Sequence, residues 1–369
     1  MTFEMVVGMS EPATGPAPHG QSSTVVEGHF YDRPEGFVVA ADCLGTTYPT
    51  VIGGHHVSVL IPRADQMGDD GMLPQLTAPV QYYSYEPRNA ETSNAAAEGL
   101  SPWGMAISAD KKGLVAALVL RVAFRFEVSG SEVVVAKTCL SIESDLGRWW
   151  KAVSVWLDTY SELDLLGYSG RRREVITSAV GMRAFTGEHH GAPAQRVLWW
   201  SDSGRRTIRV SAEAPAPDAT VLERCFRLAA HNSVPPSPWS YLRQGRSWLK
   251  AGEARRAVID ACTAAEIALA DQVRQLLADT DTKVVEQLLD RCKGIADVAS
   301  LVRQNGGTTA SRKAIEEQLA KIRNEAAHAG KEPDGATAAR AVEVAQEVVE
   351  RVWPLASLDQ PVVPVSAAQ

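Results

Sequence analysis

An α+β chain is expected here, and three features predict it. The 369 residues exceed the usual size of a single domain. Runs of Val, Ile and aromatics, separated by Gly, Pro, Asp and Ser clusters, dominate to about residue 211. From Trp239 to Trp353, alanine, leucine and charged residues recur at helical spacing, and Pro333 is the only proline. The expected organisation is a disordered N-terminal arm (1–24), a β-sheet-rich sensing or binding domain (25–235), an all-α helical domain (236–354) and a disordered tail (355–369).

In chain order, the arm is rich in Gly, Pro, Ser and Thr and has no periodicity. Strands are expected in TVVEGHFY (24–31), GFVVAADC, HVSVLIP, GLVAALVLRVAFRFEV (113–128), SEVVVAKTCLSI, RVLWW and RTIRVSAE. One helix interrupts them: in DLGRWWKAVSVWLDTYSEL, Trp149, Val153, Trp156 and Tyr160 fall on one helical stripe and read as core. A short helix, ATVLERCFRLAAHN (219–232), lies between PAP and VPPSP, and those prolines mark the domain boundary.

Five helices are expected beyond it: PWSYLRQGRSWLKAG, EARRAVIDACTAAEIALADQVRQLLAD, DTKVVEQLLDRCKGIADVASLVRQ, TASRKAIEEQLAKIRNEAAHAG and DGATAARAVEVAQEVVERVW. Gly252, Gly306 with Gly307, and Gly330 fall where helices should stop, and Ser311 and Asp334 where helices should start.

Hydrophobic residues make up 45% of the chain and charged residues 22%, as in an ordinary globular protein. No apolar run is long enough to span a bilayer, and MTFEMVVGMSEPATGPAPHG lacks a basic stretch before its apolar residues, so a cytoplasmic protein with no membrane partner is expected. Cys43, Cys139, Cys225, Cys262 and Cys292 are odd in number, widely spaced and never in a C-x-x-C pair, so reduced thiols are expected. Between Trp239 and Trp353, 17 Lys and Arg balance 17 Asp and Glu, so the net charge of −7 belongs to the remainder. An anion site is therefore better sought in the helical half.

KIRNEAAHAG (321–330) carries an arginine and a histidine five positions apart. At about 100° per residue, Ile315, Leu319, Ile322, Ala326 and Ala329 form the buried stripe, within about 80° of one another. Arg323 lies at one edge of it and His328 on the far side, about 140° apart. Ala320, Asn324 and Ala327 lie between them. Convergence of the pair on one ligand needs either two-fold packing of this helix against its copy or an arginine side chain that reaches round.

These residue types suit metal-free phosphodiester cleavage. Histidine can take a proton from a ribose 2′-hydroxyl or give one to the leaving oxygen. A guanidinium offers forked donors to phosphate oxygens as charge builds. A helix end at Gly330 would favour the protonated imidazole through the negative end of the dipole. A 2′-hydroxyl nucleophile makes the substrate RNA, and no cofactor or metal is needed.

The R-N-x-x-x-H sequence of Arg323, Asn324 and His328, near the end of the fourth helix of a roughly 115-residue all-α region, resembles the HEPN family. RRAVIDACTAAEIAL is similar to the second helix of that family, with Glu266 as a polar residue facing the core. The resemblance implies an up-down helical bundle that dimerises, so that two motifs face each other across a cleft. Many members are metal-independent endoribonucleases of toxin, abortive-infection and other anti-phage systems, and some cut tRNA. Carried over, Arg323 holds the phosphate, His328 is the acid or base, and Asn324 positions. The first domain would then gate the second in response to an unknown ligand or protein. The rival reading is a non-catalytic dimeric binding protein that uses its helical half for assembly.

Other candidates are weaker. Arg171, Arg172 and Arg173, with Arg205 and Arg206, form a candidate RNA-binding patch or else charged turn and edge-strand positions. Trp199 and Trp200 could stack on a base but suit packing better. The pairs His55 and His56, and His189 and His190, make no two-ligand metal site, because neighbours on an extended chain point to opposite sides. DTDTK (279–283) lacks the glycine and glutamate of a calcium loop and reads as a capped turn. The first helix pair has a tetratricopeptide-like pattern, but no second copy follows.

Overall fold

β-Branched and aromatic runs pair with one another in the N-terminal half, as their pleated, half-buried packing requires. The computed structural model of the chain describes residues 23–30, 37–64, 73–77, 79, 103–111, 113–129, 132–161, 173–179, 183–187, 196–200, 204–210 and 216–359. In order, the strands are β1 (Ser23–Phe30), β2 (Phe37–Ala40), β3 (Thr47–Ile52), β4 (His55–Leu60), β5 (Arg63–Ala64), β6 (Leu76–Thr77), β7 (Gly104–Asp110), β8 (Gly113–Val119) and β9 (Val122–Ser129). Four more follow a long helix: β10 (Arg173–Ala179), β11 (Arg183–Gly187), β12 (Arg196–Trp200) and β13 (Gly204–Val210). An antiparallel six-stranded sheet runs β12-β11-β1-β9-β4-β3, a three-stranded sheet runs β2-β8-β7, and β5-β6 and β10-β13 are two-stranded. The fold class is α+β.

Helix α1 (Glu132–Ser161) and helix α2 (Ala219–Ala230) pack on the sheet side. Trp149 stacks on Phe226 at 5.4 Å and meets Phe124 edge-on at 5.9 Å. Its Nε1 donates to Thr50 Oγ1 at 3.0 Å, and that hydroxyl donates to the Phe226 carbonyl at 3.0 Å. The buried indole and hydroxyl are thus both satisfied, which removes the cost of burying polar atoms beside so much apolar surface. Trp149, Val153 and Trp156 are buried, as the stripe predicts, and Tyr160 is partly buried against the same core.

The helical half contains α3 (Ser237–Lys250), α4 (Ala254–Leu276), α5 (Thr282–Asp290), α6 (Ile295–Gln304), a π-helical segment Ala314–Ala320 continuing directly into α7 (Lys321–His328), and α8 (Gly335–Val352). Helix α4 lies at the centre and touches α3, α6, α7 and α8. Its alanines at 257, 261, 264, 265 and 268 are at most 1% exposed and let those neighbours approach closely. Asp334 caps α8 by accepting from the Thr337 N–H at 2.7 Å, and Ser311 Oγ accepts from the Ala314 N–H at 3.1 Å. Gly252, Gly306 and Gly330 take left-handed φ values at helix ends, whereas Gly307 does not. Asp281 accepts from the Lys283 N–H at 2.8 Å, so DTDTK is a capped turn.

Four expectations are corrected. SEVVVAKTCLSI is the start of α1, not a strand: Cys139, Ile142, Leu146 and Trp149 continue one buried helical stripe, and this packing outweighs the strand preference of three consecutive valines. The third expected helix of the second half is two, because Gly294 is extended (φ 167°) and the Asp297 carboxylate accepts from the Lys293 N–H at 2.8 Å to start α6 afresh. Thr47–Ile52, Gly104–Asp110, Arg173–Ala179 and Arg183–Gly187 are strands that the sequence did not announce. Leu355–Asp359, expected as the start of a disordered tail, is a 3₁₀ turn with Leu358 buried. Residues 1–22 of the expected arm, and 360–369, lie outside the described residues.

The prolines at 235 and 236 join α2 to α3, yet the buried residues of the two halves form one contiguous cluster. Trp156 Nε1 donates to the Ser233 carbonyl at 3.0 Å, and the Tyr160 hydroxyl donates to the Leu355 carbonyl at 3.3 Å. Arg243 of α3 reaches Asp158 of α1 at 3.7 Å, with the carboxylate side chain fully buried.

Candidate functional site

The π-helical segment carries the motif helix. Ile315 and Leu319 remain buried, while the wider i→i+5 turn ends with the Lys321 N–H reaching back to the Glu316 carbonyl. Arg340 of α8 donates to Gln318 Oε1 at 2.9 Å and fastens this segment from outside. Of the expected stripe, Ile315, Leu319 and Ala326 are buried, Ile322 is half-buried and Ala329 is exposed. Helix α7 ends where expected: Gly330 has φ 63°, and the Ala329 and Lys331 N–H groups both return to the Glu325 carbonyl.

Arg323, Asn324 and His328 meet within one chain. Arg323 Nη1 lies 3.3 Å from His328 Nε2 and donates to Asn324 Oδ1 at 3.2 Å. The long arginine side chain thus spans the angle that separates the two positions on an ideal wheel, and a second protomer is not needed to bring them together. A guanidinium has donors only, so a hydrogen bond in this contact requires Nε2 to accept and the ring proton to sit on Nδ1. Both hydrogens of Nη1 are then used, one on the amide and one on the ring. His328 is exposed and Arg323 half-buried, so an incoming phosphate can reach both.

Two depressions flank this row. An open groove on one side is lined by Glu316, Ala320, Lys321, Asn324, Glu325 and His328. Its charges are mixed, with Lys321 against two glutamates, so it offers little unspecific attraction to a polyanion. On the other side lies a cleft of about 270 Å³. Its walls come from Cys262 and Glu266 of α4, from Lys293 to Asp297 at the start of α6, and from Ala320, Arg323 and Asn324. Glu266 is half-buried and accepts from the Cys262 thiol at 3.7 Å. Burial pushes that thiol well above its ordinary range, with the Glu266 charge adding to the effect, so it stays protonated. Glu266, read from the sequence as a supporting polar residue, therefore stands beside Arg323 and Asn324.

The cleft-forming residues of α6 carried no sequence signal. Gly294 alone, a glycine inside an otherwise helical run, could have marked the break that opens the cleft.

The remaining described candidates lie on elements other than the motif helix. Arg171 and Arg172 lie outside the described residues, as do His189 and His190. Arg173 opens β10 opposite Val210, while Arg205 and Arg206 pair with Ser178 and Thr177 at the other end of the same ladder, so the backbone separates Arg173 from Arg205 and Arg206. Trp199 and Trp200 end β12, opposite Ala184 and Arg183. His55 and His56 open β4 after the Gly53–Gly54 turn; His55 is half-buried and His56 exposed. Among the described residues, no group of three or more His, Cys, Asp or Glu is placed to hold a metal ion. Cys43, Cys139 and Cys225 are buried, and burial raises all three thiols, those of Cys43 and Cys139 to about 12. Among the described residues no helix is long and apolar enough to cross a membrane.

Comparisons with protein-family models, with curated proteins and with solved structures find no match to this chain.

Proposed function

We propose that the helical half is a HEPN-like bundle acting as a metal-independent endoribonuclease, with Arg323, Asn324 and His328 as its reacting group. The observation that carries this reading is the hydrogen-bonded row of guanidinium, amide and imidazole at an exposed helix end, flanked by a groove and a cleft. The resemblance of R-N-x-x-x-H and of the Glu266 helix to that family supports it from the sequence side.

The chemistry follows from the contact. When a phosphate docks, Arg323 turns to its oxygens and frees the Nε2 lone pair; neutral His328 then takes the proton of a ribose 2′-hydroxyl there, and the 2′-oxygen attacks the adjacent phosphorus. Once Nε2 carries a proton it can no longer accept from Arg323, and two positive groups at that distance repel. The guanidinium therefore stays on the phosphate oxygens, where negative charge is growing. The bond to the 5′-oxygen breaks, a second protonated imidazole from the facing motif of a homodimer supplies its proton, and a 2′,3′-cyclic phosphate remains. In this reading the sheet-rich half gates the helical half in response to a ligand or protein. A toxin or anti-phage role, with tRNA among the targets, rests on the family resemblance.

The test is purified full-length protein with total RNA in the presence of a chelator. Cleavage by the unaltered protein should fall about 10²–10³-fold or more in both Arg323→Ala and His328→Ala, the range for removing a group that stabilises developing charge or transfers the proton. Equal decay in all three proteins overturns the reading.

A further inference from the structure

We propose that the cleft beside the motif is a nucleobase pocket that selects guanine, with Glu266 as its specificity-determining residue. This deepens the ribonuclease reading and rests on it for the identity of the strand that enters.

Size is the first argument. At about 270 Å³ the cleft falls below the roughly 300–1,000 Å³ of sites that enclose whole small molecules, so it holds one ring system and leaves the sugar and phosphate outside. Arg323 and Asn324, the residues that meet the scissile phosphate, form part of its wall. A base seated in the cleft therefore belongs to a nucleotide flanking that phosphate.

The walls supply the second argument. Ile295, Ala296, Ala320 and the protonated Cys262 give a flat ring apolar surface to lie against. The polar side chains are those of Glu266, Lys293, Asp297, Arg323 and Asn324, and they are unequal; Lys293 and Arg323 only donate. The Asp297 carboxylate is engaged by the Lys293 N–H at 2.8 Å, where it starts α6. Arg323 is engaged by Asn324 and His328. Among the described residues Glu266 has no hydrogen-bond partner except the Cys262 thiol, and that contact is long at 3.7 Å. The acceptor with most capacity left in the cleft is thus a carboxylate.

A carboxylate with two open acceptors reads a base by its adjacent donors. Guanine presents N1–H and the N2 amino group side by side, matching both oxygens. Adenine and cytosine present one amino group beside an acceptor nitrogen, and uracil presents one N–H between two carbonyls. Only guanine forms the two-bond pairing without setting an acceptor against the carboxylate. Asn324 completes the match: its Oδ1 accepts from Arg323, which leaves its amide nitrogen to donate to guanine O6. The groove outside has mixed charge, so base recognition here is not swamped by backbone attraction.

The test uses full-length His328→Ala protein, to prevent cleavage, and fluorescent uridine hexamers carrying one central guanosine, inosine or adenosine. The guanosine oligomer should bind at least about tenfold more tightly than the adenosine one, as expected for one bidentate base contact. Inosine, which lacks the N2 amino group, should fall between. Adding Glu266→Gln should remove the difference, and Ala296→Phe, which fills the cleft from α6, should lower guanosine affinity without altering adenosine affinity. Equal affinities for guanosine and adenosine, an undiminished preference in both variants, or no binding of any oligomer overturns the proposal. RNA cleavage that needs Arg323 and His328 but ignores guanosine removes the pocket and keeps the nuclease. A Glu266-dependent guanosine preference in a protein that cuts no RNA does the reverse.

Discussion

At the scale of residues, the distinguishing feature is one guanidinium nitrogen shared between an amide and a ring. Lysine keeps the charge but has no planar fork, so it cannot hold Asn324 and a phosphate oxygen in one geometry. Arg323→Lys should therefore group with Arg323→Ala in RNA cleavage, about 10²-fold or more below the unaltered protein; near-normal cleavage would mean that only charge is needed. A purely steric prediction concerns Gly104 of β7, whose φ of 120° is open to glycine alone and whose added Cβ would lie 2.0 Å from the Leu118 carbonyl oxygen. Gly104→Ala should cost at least about 3 kcal/mol in a denaturant titration. Arg323, Asn324 and His328 were legible as a motif. Their contact was legible only as one of two alternatives, because a helical wheel places Cβ directions and does not choose between an arginine that reaches round and a second copy of the helix. Glu266 was legible through resemblance alone, since nothing in its spacing says that a cleft opens beside it.

At the scale of elements, helix α1 shows where local preference misleads. Val133, Val134 and Leu140 of α1 are exposed, whereas the stripe through Cys139, Ile142 and Leu146 is buried and sets the structure. The break before α6 and the π-helical segment before α7 were likewise unreadable, because each answers to packing around α4 more than to its own composition. Caps were readable, and one of them titrates. The hydrogen bond from the Thr337 N–H holds the Asp334 carboxyl below its ordinary range. The unfolded chain therefore binds the proton first in acid, so this cap's contribution is present above the ordinary carboxyl value and is lost as pH falls through the folded one. Asparagine caps without titrating. Melting curves from about pH 6 to about pH 3 should show a smaller loss of midpoint in Asp334→Asn than in the unaltered protein; parallel losses would remove this assignment.

At the scale of the whole molecule, the order of a sheet-rich half and a helical half was legible from composition, but their union was not. Asp158 and Arg243 are 85 positions apart, carry no shared pattern, and meet only because α1 and α3 pack together. With Trp156 on Ser233 and Tyr160 on Leu355, they make the junction part of a continuous core. Arg243→Ala should destabilise by about 3–5 kcal/mol, the range for breaking a buried pair. Unfolding followed by tryptophan fluorescence should remain one transition, since indoles in both halves report on the same cluster; two separated transitions would show independent halves.

The central claim is that Arg323, Asn324 and His328 cut RNA through its 2′-hydroxyl. The most direct measurement is mass spectrometry of the products from an RNA oligomer incubated with full-length protein and a chelator, alongside the same oligomer with a single 2′-deoxy substitution at the mapped cut. The account predicts 2′,3′-cyclic phosphate ends from the first and an intact bond at that position in the second. Cutting of the deoxy-substituted bond, or ends bearing a 3′-hydroxyl, would contradict it.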